Sequence, residues 1–371
     1  MKQFIHVSTI LIVAFLLSAC RPTPTVTEPV VLADFDALAA GWNAIEPGGE
    51  TICSDGTPYK FFVRPGDPEK FMFYLEGGGA CWAGSNCDPD IRPSHQVNLS
   101  RTDPNRAHGV FAFDQPTNPF ADYTVVMAPY CSGDVHLGDI EQQYQIPTFD
   151  EHQGHELTVR HRGAANANAA LDWTYNHLFA PTTVFVTGSS AGSIPSPFYA
   201  VKLAEQYQQA QVIQLGDASG GYRGFADFSP YEAWDTDVVV ADLDYLASMA
   251  AEDFSFHHLY IAAAQANPQI TLASFDTVED SVQKQFLALG GTPAEFLQPL
   301  LEANLAEISQ AVPDFRYFVA GGDMHTILLR PEMYSYKADN VLFVDWLSSL
   351  AKGESVANAR CADCSVAELS D

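Results

Sequence analysis

The sequence predicts an α/β fold built on a doubly wound, mostly parallel sheet with an inserted, cap-like segment. From about residue 51 onward, short apolar runs alternate with helix-like segments. The apolar runs are rich in β-branched and aromatic residues and lack a polar face, as expected of strands that are buried on both faces. Such alternation over this length is typical of a parallel sheet covered by helices on both sides.

The elements follow from the local patterns. Buried strands are predicted at 71–75, 123–130, 183–187, 211–215, 270–275 and 315–320. Helices are predicted at 157–178, 279–289 and 340–352. A further helix should begin at Thr292, where a capping-box pattern is combined with proline in the first turn. Residues 223–268 break the alternation with an aromatic-rich stretch, which we interpret as a cap or wall near the site.

Composition limits the classes of partner. Eighteen Lys and Arg residues against 46 Asp and Glu residues give 371 residues a net charge of -28. This charge argues against nucleic acid and against anionic membrane surfaces, because both are bound by basic patches. We attribute the acidity mainly to solubility, and it mildly disfavours polyanionic substrates. A hydrophobic content of 47% is enough for one large folded core.

The N-terminus predicts export. Lys2 precedes an uncharged apolar run at 10–17, which is short for a membrane span and is followed by Leu-Ser-Ala-Cys ending at Cys20. This ending resembles a bacterial lipobox with a lipidated cysteine, and the alternative is an ordinary signal peptide. We therefore expect a signal at 1–20, a Pro/Thr-rich tether at 21–34 and one domain at 35–371. The protein would be a periplasmic or outer-face lipoprotein, with a lipid at Cys20 as its only membrane anchor, or be secreted.

The remaining cysteines are even in number, which in an exported chain indicates disulfides. They are Cys53, Cys81, Cys87, Cys131, Cys361 and Cys364. The economical pairing joins the two close pairs, 81 with 87 and 361 with 364, and leaves 53 with 131, although other connectivities remain open. No histidine stands at ligand spacing beside the close pairs, so we predict no metal there.

Small, polar and ionisable residues follow the predicted strands. They are Gly77–Gly79, Ser132–Asp134, Ser189, Ser190, Asp217, Asp276 and Asp323–His325. In open parallel sheets, ligands bind outside the carboxyl ends of the strands. We therefore expect a functional site at this edge.

A candidate nucleophile lies in Val-Thr-Gly-Ser-Ser-Ala-Gly at 186–192. Ser190 is the centre of a G-x-S-x-G pattern between a predicted strand and a helix, which is the context of a nucleophile elbow. The alternative is a glycine-rich turn without chemistry. Ser189 lacks the flanking glycines and is interpreted as a turn residue.

The candidate base is His325, which follows the last predicted strand, where the serine–acid–histidine order of α/β-hydrolase-like folds requires it. The other histidines considered lie in the insertion or before and at the start of a helix, and we interpret them as surface or capping residues: His152, His155, His161, His257 and His258.

The candidate acid is Asp276, at the end of the strand between the serine and the histidine. It would hold the imidazole tautomer and stabilise the imidazolium. A helix N-cap is the alternative role. Asp217 is the second choice for the acid, and Asp323 stands too close to His325 along the chain.

The candidate oxyanion hole consists of backbone N–H groups. Gly78 and Gly79 lie in a glycine run after an early strand, and Ala191 follows the nucleophile. A phosphate cradle is the rival use of such a run, but the G-K-[ST] ending is absent.

Several strings together resemble the pectin acetylesterase/Notum family. They are C-S-D-G-T-P-Y at 53–59, L-E-G-G-G-A-C-W at 75–82, A-P-Y-C-S-G-D at 128–134, V-T-G-S-S-A-G at 186–192, F-D-T-V-E-D at 275–280 and the segment around His325. The resemblance implies an α/β-hydrolase-like serine esterase without metal or cofactor, with Ser190, Asp276 and His325 as its triad. It also supports Gly78, Gly79 and Ala191 as the oxyanion hole.

The chain departs from this family pattern at two places. Many relatives carry Trp where this chain has Gly79, and the segment around His325 lacks the cysteine seen in plant relatives. Acyl size and leaving group therefore stay open in the prediction.

The predicted function is an exported, monomeric serine hydrolase that forms an acyl-enzyme and deacetylates a polysaccharide such as pectin. A broader carboxylesterase acting on lipid, polyester or acylated-protein esters is the alternative within the same class. A non-catalytic, glycan-binding surface lipoprotein is the alternative of another class.

Overall fold

A computed structural model describes residues 32–148, 153–224 and 228–370. The predicted signal peptide, Cys20, nearly all of the tether and His152 lie outside these residues. Leu32 and the described residues after it belong to one unit. Among the described residues, none of the helices combines the length and apolar character needed to cross a bilayer.

The described residues form fourteen strands. They are β1 Asn43–Ile45, β2 Phe61–Arg64, β3 Asp67–Leu75, β4 Tyr123–Ala128, β5 Ile140–Ile146, β6 His155–His161, β7 Thr183–Ser189, β8 Gln211–Asp217, β9 Thr271–Thr277, β10 Arg316–Ala320, β11 Tyr336–Ala338, β12 Val341–Leu342, β13 Ala359–Arg360 and β14 Glu368–Leu369.

Nine of these strands form one sheet in the order β1-β2-β4-β3-β7-β8-β9-β10-β13. β1, β2 and β4 pair antiparallel, and every pair from β4 to β13 is parallel. All six predicted strands lie in this sheet, and the predicted mostly parallel α/β class is confirmed. The carboxyl ends of β3, β7, β8, β9 and β10 therefore meet at one edge.

Ten α-helices connect the strands within the described residues. They are α1 Gly84–Cys87, α2 Gly163–His177, α3 Ser196–Gln206, α4 Pro230–Trp234, α5 Thr236–Val239, α6 Asp244–Ala247, α7 His258–Ala266, α8 Ser281–Leu289, α9 Leu297–Ala311 and α10 Phe343–Ala351. The helix expected from Thr292 begins with a 3-10 turn at Ala294–Phe296 and continues as α9.

One helix boundary differs from the prediction. The segment predicted as a helix from residue 157 starts as strand β6, which pairs antiparallel with β5. Inside β6, Val159 and His161 are buried while Arg160 between them is partly exposed, which is the period of a strand. α2 begins only at Gly163, whose N–H donates to Asp134 over 2.7 Å.

Side chains of the sheet pack into two cores, because neighbouring residues of a strand point to opposite faces. Phe71 and Phe73 of β3 belong to one cluster, together with α2 and α3 residues. Met72 and Tyr74 belong to the other, together with Phe343 and Trp346 of α10. The sheet is thus covered on both faces, as the continuous apolar runs predict.

Three disulfides occur, joining Cys53 to Cys131, Cys81 to Cys87 and Cys361 to Cys364. This is the economical pairing favoured by the sequence. Three disulfides fit a protein that resides in an oxidising, extracellular environment.

The insertion contributes short helices next to the loop after β3. Trp234 of α4 is buried, and its indole N–H donates to the Cys81 carbonyl over 2.8 Å. The Trp234 carbonyl in turn accepts from the Asp139 N–H. The first bond fastens α4 to the segment that follows the glycine run, and the second fastens it to the residue before β5.

Candidate active site

Ser190 stands in a sharp turn between β7 and α3. Its φ of 56° is in the left-handed region, where a non-glycine residue stores strain. The flanking glycines are required by close backbone approach. A Cβ at Gly188 would lie 2.2 Å from the Gly192 carbonyl oxygen, and one at Gly192 would lie 2.1 Å from the Leu75 carbonyl oxygen. The turn therefore has the geometry of a nucleophile elbow.

His325 connects the serine to a carboxylate. Its Nε2 lies 2.8 Å from Ser190 Oγ, and its Nδ1 lies 2.8 Å from Asp280 Oδ2 and 3.0 Å from Asp280 Oδ1. Because a carboxylate accepts, the imidazole proton is assigned to Nδ1, which leaves the Nε2 lone pair facing the serine hydroxyl. This is the geometry in which an imidazole can remove the hydroxyl proton.

Asp280 is the N-cap residue of α8, and its side chain is fully buried. Its Oδ1 accepts from the Val282 and Gln283 N–H groups, both at 2.9 Å, and its Oδ2 accepts from Gln283 Nε2 at 3.1 Å. The N-terminus of a helix favours negative charge. The carboxylate that faces His325 is therefore held in a fixed orientation.

The predicted contact between Asp276 and His325 does not occur. Asp276 belongs to β9 and points to a neighbouring loop, where it accepts from the Gly220 N–H at 2.7 Å and from Gln283 Nε2 at 3.2 Å. Burial raises its pKa to about 7. Asp280 and not Asp276 faces the imidazole because Asp276 still belongs to β9. Asp280 follows the turn after β9 and begins α8 next to His325.

Asp217, the second choice for the acid, also makes no hydrogen bond to the ring of His325. It is buried and accepts from Ser189 Oγ at 2.8 Å and from the N–H groups of Ile327 and Leu328 at 2.9 and 3.0 Å. Burial raises the pKa of Asp217 to about 6. It joins the nucleophile turn to the loop that carries His325.

The glycine run after β3 lies against the nucleophile turn. A Cβ at Gly77 would lie 2.3 Å from the Ser189 carbonyl oxygen. Gly79 has a φ of 83°, and a Cβ there would lie 2.0 Å from the Ser94 carbonyl oxygen. The backbone at Gly79 therefore leaves no room for a side chain. Among the described residues, the N–H groups of Gly78 and Gly79 donate to no protein acceptor.

Glu76, which was not among the residues predicted for the site, supports this run. Glu76 directly precedes the glycines and accepts from Thr102 Oγ1 at 2.9 Å and from the Tyr130 N–H at 3.2 Å. Burial raises its pKa to about 7. The Glu76 carbonyl also faces His136 Nε2 at 2.8 Å. In the sequence, the position of Glu76 between β3 and the glycines could have indicated this supporting role.

An apolar pocket of about 30 Å³ opens beside Ser190. Its wall includes Trp82 and Phe228, whose rings stack with centroids 4.2 Å apart. Trp234 and Phe256 of the insertion also line it. The pocket therefore places Ser190 beside narrow, aromatic walls.

A second, polar groove adjoins the glycine run on its other side. It has a volume of about 760 Å³ and shares Gly79 and Phe286 with the apolar pocket. Arg101 and Arg106 lie in its wall and are exposed. The groups of described residues that could hold a metal ion include neither Ser190 nor His325.

The parallel sheet, the serine turn and the histidine after β10 together define an α/β-hydrolase-like fold. The solved structure of the Wnt deacylase Notum from Drosophila is similar to it, with a TM-score of 0.58, 17% sequence identity, and coverage of 86% of this chain and 95% of that chain.

A profile of the family described as Pectinacetylesterase matches residues 43–238, and the chain belongs to this family. The chain is also 29% identical over 92 residues to the palmitoleoyl-protein carboxylesterase NOTUM of Schmidtea mediterranea. It is 29% identical over 90 residues to NOTUM of Homo sapiens. Each match covers 23% of this chain and spans only 18% of the relative's length.

Proposed function

We propose that this protein is a serine carboxylesterase in which Ser190 is the nucleophile, His325 the general base and Asp280 the carboxylate that orients the imidazole. The observation that carries the proposal is the unbroken hydrogen-bonded series from Ser190 Oγ through both nitrogens of His325 to Asp280. Family membership supports the ester as the bond that is cleaved.

The reaction proceeds through an acyl-enzyme. His325 Nε2 takes the proton of Ser190 as its oxygen attacks the ester carbonyl, and then gives that proton to the leaving alcohol. Water, deprotonated by the same nitrogen, releases the acyl group. The buried Asp280 carboxylate stabilises the imidazolium that forms in each step.

The oxyanion is stabilised by backbone donors. The N–H groups of Gly78, Gly79 and Ala191 are proposed for this role, and the first two are free of protein acceptors within the described residues. Glu76 and the close packing of Gly77 against Ser189 hold the run in position. The donors are thus fixed before substrate arrives.

The pocket favours a short acyl group. Its volume of about 30 Å³ accommodates about two water-sized groups, which suits acetyl. A longer chain would have to separate the stacked rings of Trp82 and Phe228. The palmitoleoyl esters in the names of the NOTUM relatives are correspondingly the second candidate substrates.

The polar groove favours a large, polar leaving group such as an acetylated polysaccharide, with pectin as the proposed example. Arg101 and Arg106 provide local positive charge in a chain whose net charge is -28. Guanidinium groups pair well with carboxylates. The acidic composition therefore does not prevent a uronate chain from lying beside the site.

We further propose export and lipidation at Cys20, with the protein acting as a monomer at the cell surface. The disulfides fit an oxidising compartment. Mass spectrometry of the mature N-terminus would show a diacylated Cys20, whereas an unmodified N-terminus would contradict the anchor.

The test compares p-nitrophenyl acetate, butyrate and octanoate hydrolysis, with acetate release from acetylated pectin. Ser190→Ala should lose at least about 1,000-fold in kcat, as expected when a nucleophile is removed. Ser348→Ala is the control, since its hydroxyl lies on α10 and donates to the Val344 carbonyl. Equal rates for wild type and Ser190→Ala would contradict the assignment.

Acyl preference separates the esterase candidates. We expect acetate to be the best substrate for the wild type and Trp82→Ala to shift the preference toward octanoate. Wild-type preference for octanoate would favour the acylated-protein or lipid alternative. Binding of acetylated pectin without hydrolysis of any ester would favour the non-catalytic, glycan-binding alternative.

A further inference from the structure

A cluster of three possible ligands lies where α1 meets the hairpin of β5 and β6. It consists of Asp88, which follows α1, Asp90 and His155, the first residue of β6. One ligand atom from each lies within 4.8 Å of those of the other two. None of the three belongs to the candidate active site.

The imidazole of His155 presents an acceptor to this cluster. Its Nδ1 lies 3.3 Å from the Gln153 carbonyl oxygen, which can only accept, so the ring proton belongs on Nδ1. Its Nε2 then carries the lone pair. A backbone carbonyl on the other nitrogen is the usual support of a histidine that binds metal.

The carboxylate of Asp88 faces that lone pair without a hydrogen-bond donor. Asp88 is fully buried, and its Oδ1 accepts from the Asp90 N–H at 2.9 Å. Its Oδ2 is buried and accepts no hydrogen bond from any described residue. It stands 3.3 Å from His155 Nε2. Two acceptors in contact require a cation or a proton between them.

We propose that Asp88, Asp90 and His155 bind a divalent transition-metal ion of the Zn²⁺ class, with water completing the coordination. Two ligands about 2.0 Å from one tetrahedral zinc are themselves about 3.3 Å apart. The separation of Asp88 Oδ2 and His155 Nε2 is 3.3 Å. An imidazole ligand favours zinc over Mg²⁺ or Ca²⁺, which take oxygen ligands.

One of the other two clusters of this kind among the described residues is closed to metal. Cys81 and Cys87 beside His161 are joined in a disulfide.

In the third cluster, Glu307 is bonded to Arg223 at 2.6 Å, and His258 Nδ1 accepts from the Ser255 N–H. The proton of His258 is therefore on Nε2, the nitrogen nearest Glu307. His155 has the opposite tautomer, so that its Nε2 lone pair faces Asp88 and is available to a metal ion.

A bound ion would join the β5–β6 hairpin to the end of α1. Asp88 follows Cys87, whose disulfide partner Cys81 is next to Trp82 of the acyl pocket. His155 belongs to the hairpin whose other strand, β5, contacts α1. The ion therefore acts as a crosslink between the hairpin and α1, away from the chemical step.

The experiment titrates ZnCl2 into the full, untagged chain after EDTA treatment and dialysis, by calorimetry and by thermal unfolding. We expect a single ion per chain and a saturable rise in Tm. His155→Gln should weaken binding at least about 10-fold, the size of effect expected when one ligand is lost. His108→Gln, at an exposed histidine outside the cluster, should bind as the wild type does.

A second variant tests whether a loss of binding in His155→Gln comes from misfolding. Asp90 is exposed, so Asp90→Asn should keep the fold while weakening the affinity. Wild type that binds no zinc, or His155→Gln and Asp90→Asn that both bind with unchanged affinity and stoichiometry, would overturn the proposal. In that case a protonated His155 paired with Asp88 is the remaining explanation of the contact.

Discussion

The carboxyl end of β9 and the N-cap of α8 each present a buried aspartate, but only the second reaches the histidine. Asp276 of β9 has one oxygen that accepts no hydrogen bond, and burial raises its pKa to about 7. Asp280 receives two backbone N–H groups of α8 and contacts His325 through both oxygens. A helix N-terminus can hold a buried negative charge. At Asp276, burial outweighs the two hydrogen bonds to Oδ1, so the pKa rises and the protonated form is favoured.

The largest expected effect comes from exchanging the acid that contacts His325. Asp280→Asn should lower kcat by about 10³ to 10⁴, because an amide no longer fixes the productive tautomer or stabilises the imidazolium. Asn remains a good N-cap residue, so the fold should survive. The measurement is p-nitrophenyl acetate hydrolysis at saturating substrate.

The matched control is Asp276→Asn, four positions away on β9. Its kcat should stay within about threefold of the wild type, because Asp276 contacts Gly220 and Gln283 instead of His325. A loss in Asp276→Asn as large as that in Asp280→Asn would reverse the assignment of the acid.

Asp276 should reveal itself in the pH dependence of stability. Its folded pKa is about 7 against an ordinary 3.8, so the folded state binds the extra proton between these values. The contribution of Asp276 to the free energy of unfolding is therefore fully present below about pH 4. It is lost as the pH rises toward 7, and the loss is about 4 kcal/mol at most.

Asp276→Asn removes this pH dependence. The free energy of unfolding is measured with urea at pH 5 and at pH 8. The value for the variant minus that for the wild type should be larger at pH 8 than at pH 5. An unchanged difference between the two pH values would show that Asp276 is ionised in the folded protein.

Gln283 links the two carboxylates. Its Nε2 donates to Asp276 and to Asp280, and its Oε1 accepts from the Gly221 N–H at 2.9 Å. Gln283→Leu leaves buried polar groups unpaired and should destabilise the protein by about 2 kcal/mol. The kcat should fall less than about 10-fold because the α8 N–H groups still hold Asp280. Full activity loss with unchanged stability would mean that Gln283 itself takes part in the reaction.

The smallest effect separates the two roles of Asp280. Asp280→Ala loses the helix cap, which Asp280→Asn retains, and should be less stable than Asp280→Asn by about 1 kcal/mol. Both should lose similar activity. Thermal unfolding of the two variants at one pH measures this difference, and equal Tm values would argue that the cap contributes nothing.

The sequence was sufficient for the parts of the site that follow strands. Ser190 directly follows the buried strand β7, and His325 lies in the loop after the buried strand β10. Parallel strands bring such positions to one edge of the sheet. The same rule predicted the wrong acid. It selected Asp276, which stands at the end of β9, whereas Asp280 contacts the histidine. The pattern Asp-Ser-Val-Gln at 280–283 was the available signal, since it predicts an N-cap at Asp280.

Other features depend on contacts that no local pattern contains. The strand β6 was hidden because the following helix begins only two residues after it. The narrow pocket arises from Trp82 meeting Phe228 of the insertion, across a long sequence separation. Donor geometry around Asp276 likewise depends on where Gly220 and Gln283 lie in the fold.

A single buried carboxylate, Asp217, fastens the serine-bearing turn to the loop that carries the histidine. The proposed nucleophile and base are therefore already within hydrogen-bond distance of each other without a ligand, and no binding energy is needed to bring them together. Under this proposal, the protein selects among esters by which acyl groups fit into the aromatic pocket. Such a protein should evolve new preferences by reshaping its entrance while its reactive centre stays unchanged.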